Sequence, residues 1–242
     1  MRLFFAFCLL LAALGARAAE PLRVAVVGNA IPMSYVGDNG QLTGFNVELA
    51  RALCETLERR CEFKLHQLNE VVEVVAKGQV DFAVVSLLVT PERRSKVLFT
   101  KPVYRSLSVW LSRQPFPAAA LPTRPVAVVQ GSVQQAYGLA RQWPMEVLNT
   151  HTELFDALTS GQVQAALLPM TTGMNVIRDG RFGSTGLAYQ LIGEPALSGE
   201  VAISVSPKLP RLLEQLNQGL DKLKRNGRFD RINTEFLPFR LQ

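Results

Sequence analysis

Histidine and cysteine are nearly missing from this chain, with two and three copies in 242 residues. His66 and His151 lie far apart with no cysteine beside either, so no metal site is expected and both read as ordinary surface or boundary residues. Basic stripes interleaved with aromatics are also lacking. The formal charge of +6 is scattered among Asp and Glu, which argues against nucleic acid as a partner. No Ser-His-Asp set or nucleotide-binding glycine loop stands out, and no cofactor is expected. Beyond the N-terminus, no segment approaches the roughly 20 apolar residues that a membrane span needs.

The one long apolar run, Leu3 to Leu14, follows Arg2 and precedes Ala16-Arg17-Ala18, a small-x-small cleavage pattern. Residues 1–18 therefore read as a cleavable secretory signal, and the mature chain as exported and soluble. Cys8 sits inside the run, without the context of a lipid-modification site. Its removal leaves Cys54 and Cys61, and export predicts that they pair. Within one unbroken helix they would lie about 10 Å apart along the axis, beyond the Cα separation of about 7 Å that a disulfide tolerates. A bridge requires the helix to end at about Glu58–Arg60 and the chain to return in a strand over Glu62–Leu65. Two buried free thiols are the alternative.

An internal echo organises the rest. Val24-Ala25-Val26-Val27 recurs as Val126-Ala127-Val128-Val129, short β-branched runs of the kind that form buried strands. Glu70 to Ser86 aligns without gaps with Glu153 to Pro169 at an offset of 83. Each copy reads as an acidic–apolar helix, then Gly-Gln-Val, then an apolar strand. Gly78 and Gly161 fall where a helix would end in a left-handed cap, and Thr150-x-x-Glu153 is a capping-box pattern. Two echoes in the same order predict duplicated α/β lobes. A helix over 46–58 is expected to be capped by Asn46, with Val47, Ala50, Leu53, Cys54 and Leu57 as its apolar stripe. Leu212, Leu213, Leu216, Leu220 and Leu223 repeat at helical spacing before a stop at Asn226-Gly227.

The most telling stretch is Val85 to Tyr104, VSLLVTPERRSKVLFTKPVY. An apolar strand ends in a polar turn, and Arg93 and Arg94 follow. A guanidinium at the mouth of a sheet offers a planar fork of donors to a carboxylate. Thr90-x-x-Arg93, Phe99 six residues on, and the tail Phe99-Thr100-x-Pro102-x-Tyr104 resemble the signature of the family 3 periplasmic solute-binding proteins, the type II amino-acid binders of ABC importers. Gly44-Phe45-Asn46-x-Glu48-Leu49-Ala50 resembles a second element of that family, and Cys54-x6-Cys61 resembles its basic amino-acid binders. The resemblance extends over about Leu22 to Phe239. It implies an α/β clamshell of two lobes, each a mixed sheet flanked by helices. Lobe 1 would comprise residues 19–107 plus 194–242 and lobe 2 residues 108–193, hinged near Ser108–Leu111 and Leu191–Glu194. It also implies a periplasmic location, a monomer, a small anionic or zwitterionic solute, and an ABC permease or a membrane receptor as partner.

By the same resemblance, Arg93 holds the ligand carboxylate, while Arg94 reads equally well as a surface residue. The turn Gln130-Gly131-Ser132-Val133-Gln134 opens a helix whose first amides would face the anion. Ser86 and Leu88 end the strand of the first lobe, and Leu88 stands where a serine often touches the carboxylate. The cation half departs from the family. Val133 replaces a threonine, Pro169 replaces the acidic residue at the strand end, and Ala30 and Leu68 replace two aromatic walls. A buried α-ammonium would then lack a counter-charge, so the expected solute is a carboxylate without an adjacent amine. Candidate ligand-binding residues are thus Arg93, Ser86, Leu88, Ser132, Val133, Gln134 and Pro169. A dehydratase of the cyclohexadienyl type shares the fold but needs a positioned acid where Pro169 stands. The expectation is a binding protein and not an enzyme, with a sensor or accessory role as the alternative to transport.

Overall fold

Strand Leu22–Val26 is apolar at nearly every position because helices cover the sheet on both sides, and four of its five residues are buried. The computed structural model describes residues 20–115, 122–178 and 185–241, so the expected signal segment, 1–18, lies outside the described residues. The first sheet runs Cys61–Leu65, Leu22–Val26, Phe82–Ala83, Ser204–Val205, Leu98–Phe99. The second runs Met145–Leu148, Val126–Val129, Ala165–Pro169, Ser108–Ser112, Ala188–Leu191. In both, the first three strands are parallel and the fourth is antiparallel to its neighbours. The fold is therefore a mixed α/β pair of sheet-containing lobes.

The internal echo holds at the level of register. Val24 pairs with Phe82 and Ala25 with Ala83 in one sheet; Val126 pairs with Ala165 and Ala127 with Ala166 in the other. Gly78 and Gly161, at equivalent places, adopt φ of 72° and 81°, the left-handed region where a Cβ is costly. Thr150 accepts from the Glu153 amide at 3.2 Å, while the Glu153 carboxylate accepts from the Asn149 amide at 2.9 Å, one residue earlier than in a standard capping box.

The helix expected over 46–58 spans Phe45–Thr56, and Asn46 does not cap it. Carbonyls of the preceding loop take that role: Phe45 N–H donates to Pro32 O and Asn46 N–H to Met33 O. Gly44 makes this close approach possible, since a Cβ there would lie 2.7 Å from the Met33 backbone. Asn46, released from capping, turns to the cleft. Val47, Ala50, Leu53 and Cys54 are buried as expected, and the helix packs on Pro210–Arg225 and Arg228–Phe236. Those last two helices are separated by Gly227 at φ 75°, with Leu212, Leu216, Leu220 and Leu223 buried. Past Thr56 the chain turns through Glu58 at φ 53° into strand Cys61–Leu65, and Cys54 and Cys61 are bridged at a Cα separation of 5.8 Å.

Strand Ser108–Ser112 already belongs to the second sheet, so the chain passes between lobes at Leu107 and returns between Leu191 and Gly199. On the first-lobe side, Tyr104–Ser106 and Gly199–Val201 form an antiparallel ribbon that holds the two passages side by side.

Candidate ligand-binding cleft

The Thr-x-x-Arg spacing has a local mechanical reason. Thr90 caps the short helix Pro91–Arg94, its hydroxyl accepting from the Arg93 amide at 3.3 Å, and Pro91 starts the turn. This aims Arg93 into the gap between lobes. Its guanidinium is partly buried and donates to Leu88 O at 2.8 Å and to Gly131 O, in the opposite lobe, at 2.9 Å. Burial pulls its pKa below the usual arginine value, and the neighbouring Glu92 opposes that only in part. Among the described residues Arg93 has no ion-pair partner. Arg94 points elsewhere: it is exposed and lies over the Phe99 ring at 5.9 Å.

All seven candidate residues line one cleft, together with Ala30 and Leu68. Their hydrogen bonds refine their roles. Ser86, at a positive φ of 56°, exchanges hydrogen bonds with the Asn46 amide at 3.0 and 3.3 Å. Gln134 is buried and donates to the Ser108 hydroxyl, which itself donates to Leu197 O. The Gly131 amide is taken by Gln135 Oε1 and the Ser132 amide by Val129 O, so those two groups stabilise the turn. Ser132 Oγ caps helix Val133–Ala140 by accepting from Gln135. Leu88 contributes its carbonyl to Arg93, and Pro169 ends its strand opposite Ser108.

Several polar lining residues were not anticipated as parts of the site. Asn46 pairs with Ser86, and Thr171 and Thr172 are buried in the lining. Ser34 is buried, and its hydroxyl has no hydrogen-bond partner among the described residues. His151 is not the ordinary surface or boundary residue expected. It is the first residue of helix His151–Thr159 and lines the cleft, and desolvation lowers its pKa to about 4. Among the described residues no Asp or Glu lines the cleft, and no group of His, Cys, Asp and Glu is placed to hold a metal. Gln164 lies outside, donating to Arg124 O, and Met170 packs on the second core.

Two α/β lobes joined by paired crossings, with a guanidinium facing the gap, define a bilobal binding protein. The profile of the bacterial extracellular solute-binding proteins, family 3, matches residues 22–239, and the chain belongs to that family. The ABC transporter arginine-binding protein 1 of Escherichia coli K12 is 26% identical over 240 residues, 93% of each chain. The L-arginine-binding protein of Pseudomonas aeruginosa PAO1 is 26% identical over 91% of this chain and 89% of its own. An ancestral arginine-binding protein bound to arginine superposes with a TM-score of 0.81 at 23% identity, covering 91% of this chain and 99% of that one. An ancestral amino acid-binding protein, described as a precursor of cyclohexadienyl dehydratase, gives 0.80 at 21% identity over 90% and 96%. The curated relatives are mostly binding proteins for transport.

Proposed function

We propose that this chain is the periplasmic solute-binding component of an ABC importer. It would act as a monomer, closing its lobes over a small carboxylate-bearing solute and presenting the closed form to a permease. The observation that supports this most directly is Arg93: a partly buried guanidinium in the interlobe gap, with two backbone acceptors and, among the described residues, no ion-paired carboxylate. A ligand carboxylate would supply the missing negative charge, and closure would desolvate the pair, worth about 1.5–3 kcal/mol for a charged hydrogen bond. The family and its transport relatives support the same reading. The described lining holds no carboxyl acid for a dehydration step, which does not favour the enzyme. A thermal-shift screen of organic acids and amino acids tests the proposal, since a ligand that binds only the folded state raises the melting temperature. The wild-type protein should respond to carboxylates, and Arg93→Ala should not. Equal responses from both would end this reading.

A further inference from the structure

We infer that the cleft takes a monocarboxylate whose remaining part is uncharged and largely apolar, and that it discriminates against the matching α-amino acid; this rests on the carboxylate role proposed for Arg93. The charge inventory of the lining comes first. It holds one guanidinium and, among the described residues, neither Asp nor Glu. An α-ammonium sits one bond from the carbon that bears the carboxylate. It would therefore enter a closed cleft near Arg93 with like charge beside it and no anion facing it. Among the described residues no Phe, Tyr or Trp lines the cleft either, so none of them offers an aromatic face in place of a carboxylate. The remaining groups that could meet an amine are hydroxyls, amides and a neutral imidazole.

The body of the lining points the same way. Val27, Met33, Leu68, Val85, Val133 and Leu168 supply apolar wall from both lobes. They would gain from covering a hydrocarbon or ring and would gain nothing from a charged side chain. Ser34 then supplies an independent mark of a ligand. Its hydroxyl is buried in this lining and has no hydrogen-bond partner among the described residues, an arrangement that costs free energy unless something else meets it. A neutral hydroxyl or keto oxygen on the solute would satisfy it, because a serine hydroxyl both donates and accepts.

The test compares matched pairs by calorimetry at neutral pH on protein unfolded and refolded to strip any co-purified solute. The pairs are 4-methyl-2-oxopentanoate with L-leucine and 3-phenyllactate with L-phenylalanine, with L-arginine added as the solute named for the relatives. The deaminated acid should bind at least tenfold more tightly than its partner, and Arg93→Ala should lose that binding. Arg93→Lys, which keeps the charge but not the fork, should weaken it at least tenfold while melting like the wild type. Ser34→Ala should reduce affinity for the oxo and hydroxy acids several-fold. If amino acids bind as tightly as the acids or more so, and Arg93→Ala still abolishes binding, the selectivity is wrong and the carboxylate role of Arg93 stands. If no probe binds, or if wild type and Arg93→Ala bind alike, both inferences fall.

Discussion

The Arg93 guanidinium donates to the Gly131 carbonyl at 2.9 Å, and that bond joins the two lobes. The same glycine meets the first lobe a second time. A Cβ on Gly131 would lie 2.5 Å from the Asn69 Cα, and its φ of 78° already disfavours any side chain. Backbone thus touches backbone across the cleft at the point where the arginine reaches over.

That contact yields a prediction that separates closure from folding. In Gly131→Ala the left-handed φ alone should cost about 1 kcal/mol of stability. If the lobes open as proposed, the clash with Asn69 would be confined to the closed arrangement and the open protein would escape it. Solute affinity should fall at least tenfold while the ligand-free melting temperature drops by only a few degrees. Calorimetry alongside thermal melts decides this, and an unchanged affinity would show that closure does not need the glycine.

Arg93 should contribute little to the stability of the empty protein. Its hydrogen bond to Leu88 O, within its own lobe, favours the fold, but the cost of desolvating a cation without a counter-ion opposes it. Arg93→Met should therefore change the unfolding free energy by only about 1 kcal/mol, from the near-cancellation of these terms. The solute-induced rise in melting temperature should nevertheless vanish. A loss of several kcal/mol in denaturant unfolding would mean that the arginine is a structural support.

The Cys54–Cys61 bridge closes a loop between residues only 7 apart in sequence. Chain-entropy reasoning for so short a loop gives about 2 kcal/mol. The double variant Cys54→Ser/Cys61→Ser should lose about that much in urea unfolding and still bind solute, since neither residue lines the cleft. Loss of binding by a folded variant would contradict that placement.

His151 should make the protein acid-sensitive. Its folded pKa is lowered from 6.5 to about 4 by desolvation, and its place at the start of a helix acts in the same direction. Between those two values the unfolded chain binds a proton that the folded chain refuses. Stability should thus be full above the unfolded pKa and fall as pH drops from 6.5 towards 4. His151→Gln should flatten that part of the profile. Denaturant melts at pH 7.0 and 5.0 would measure this, and an equal slope in both proteins would remove His151 as the cause.

Much of the architecture was legible because it is written locally. The repeated valine strands, the left-handed glycines after each helix and the Thr90 cap each depend on neighbours within a few residues. The strand echo and the glycines predicted the two lobes, whereas Arg93 was singled out by the resemblance of its Thr-x-x-Arg setting to a family signature. Asn46 was misread because the pattern before a helix suggests a side-chain cap, whereas the loop carbonyls of Pro32 and Met33 already serve the first amides. Ser34 and His151 left no periodic trace: each is one polar residue brought to the cleft by a loop or a helix start, and only tertiary packing reveals its neighbours. The contact of Gly131 with Asn69 is likewise invisible in sequence, although the turn containing the glycine was not.

Pro169 offers the sharpest route from sequence to specificity. It ends strand Ala165–Pro169 on the second-lobe wall, opposite Ser108, and contributes neither charge nor an amide hydrogen. Replacing it sacrifices only the ring constraint, because the following Met170 amide, which donates to Leu107 O, can continue to anchor the strand end. Pro169→Asp places a carboxylate on a wall that has none among the described residues, which would pair with a solute ammonium while Arg93 holds the solute carboxylate. The ratio of affinities for L-leucine and 4-methyl-2-oxopentanoate should then shift towards the amino acid by at least tenfold. Arg93→Ala in the same background should weaken both. If the ratio does not move in a folded Pro169→Asp protein, the missing counter-charge is not what sets solute choice.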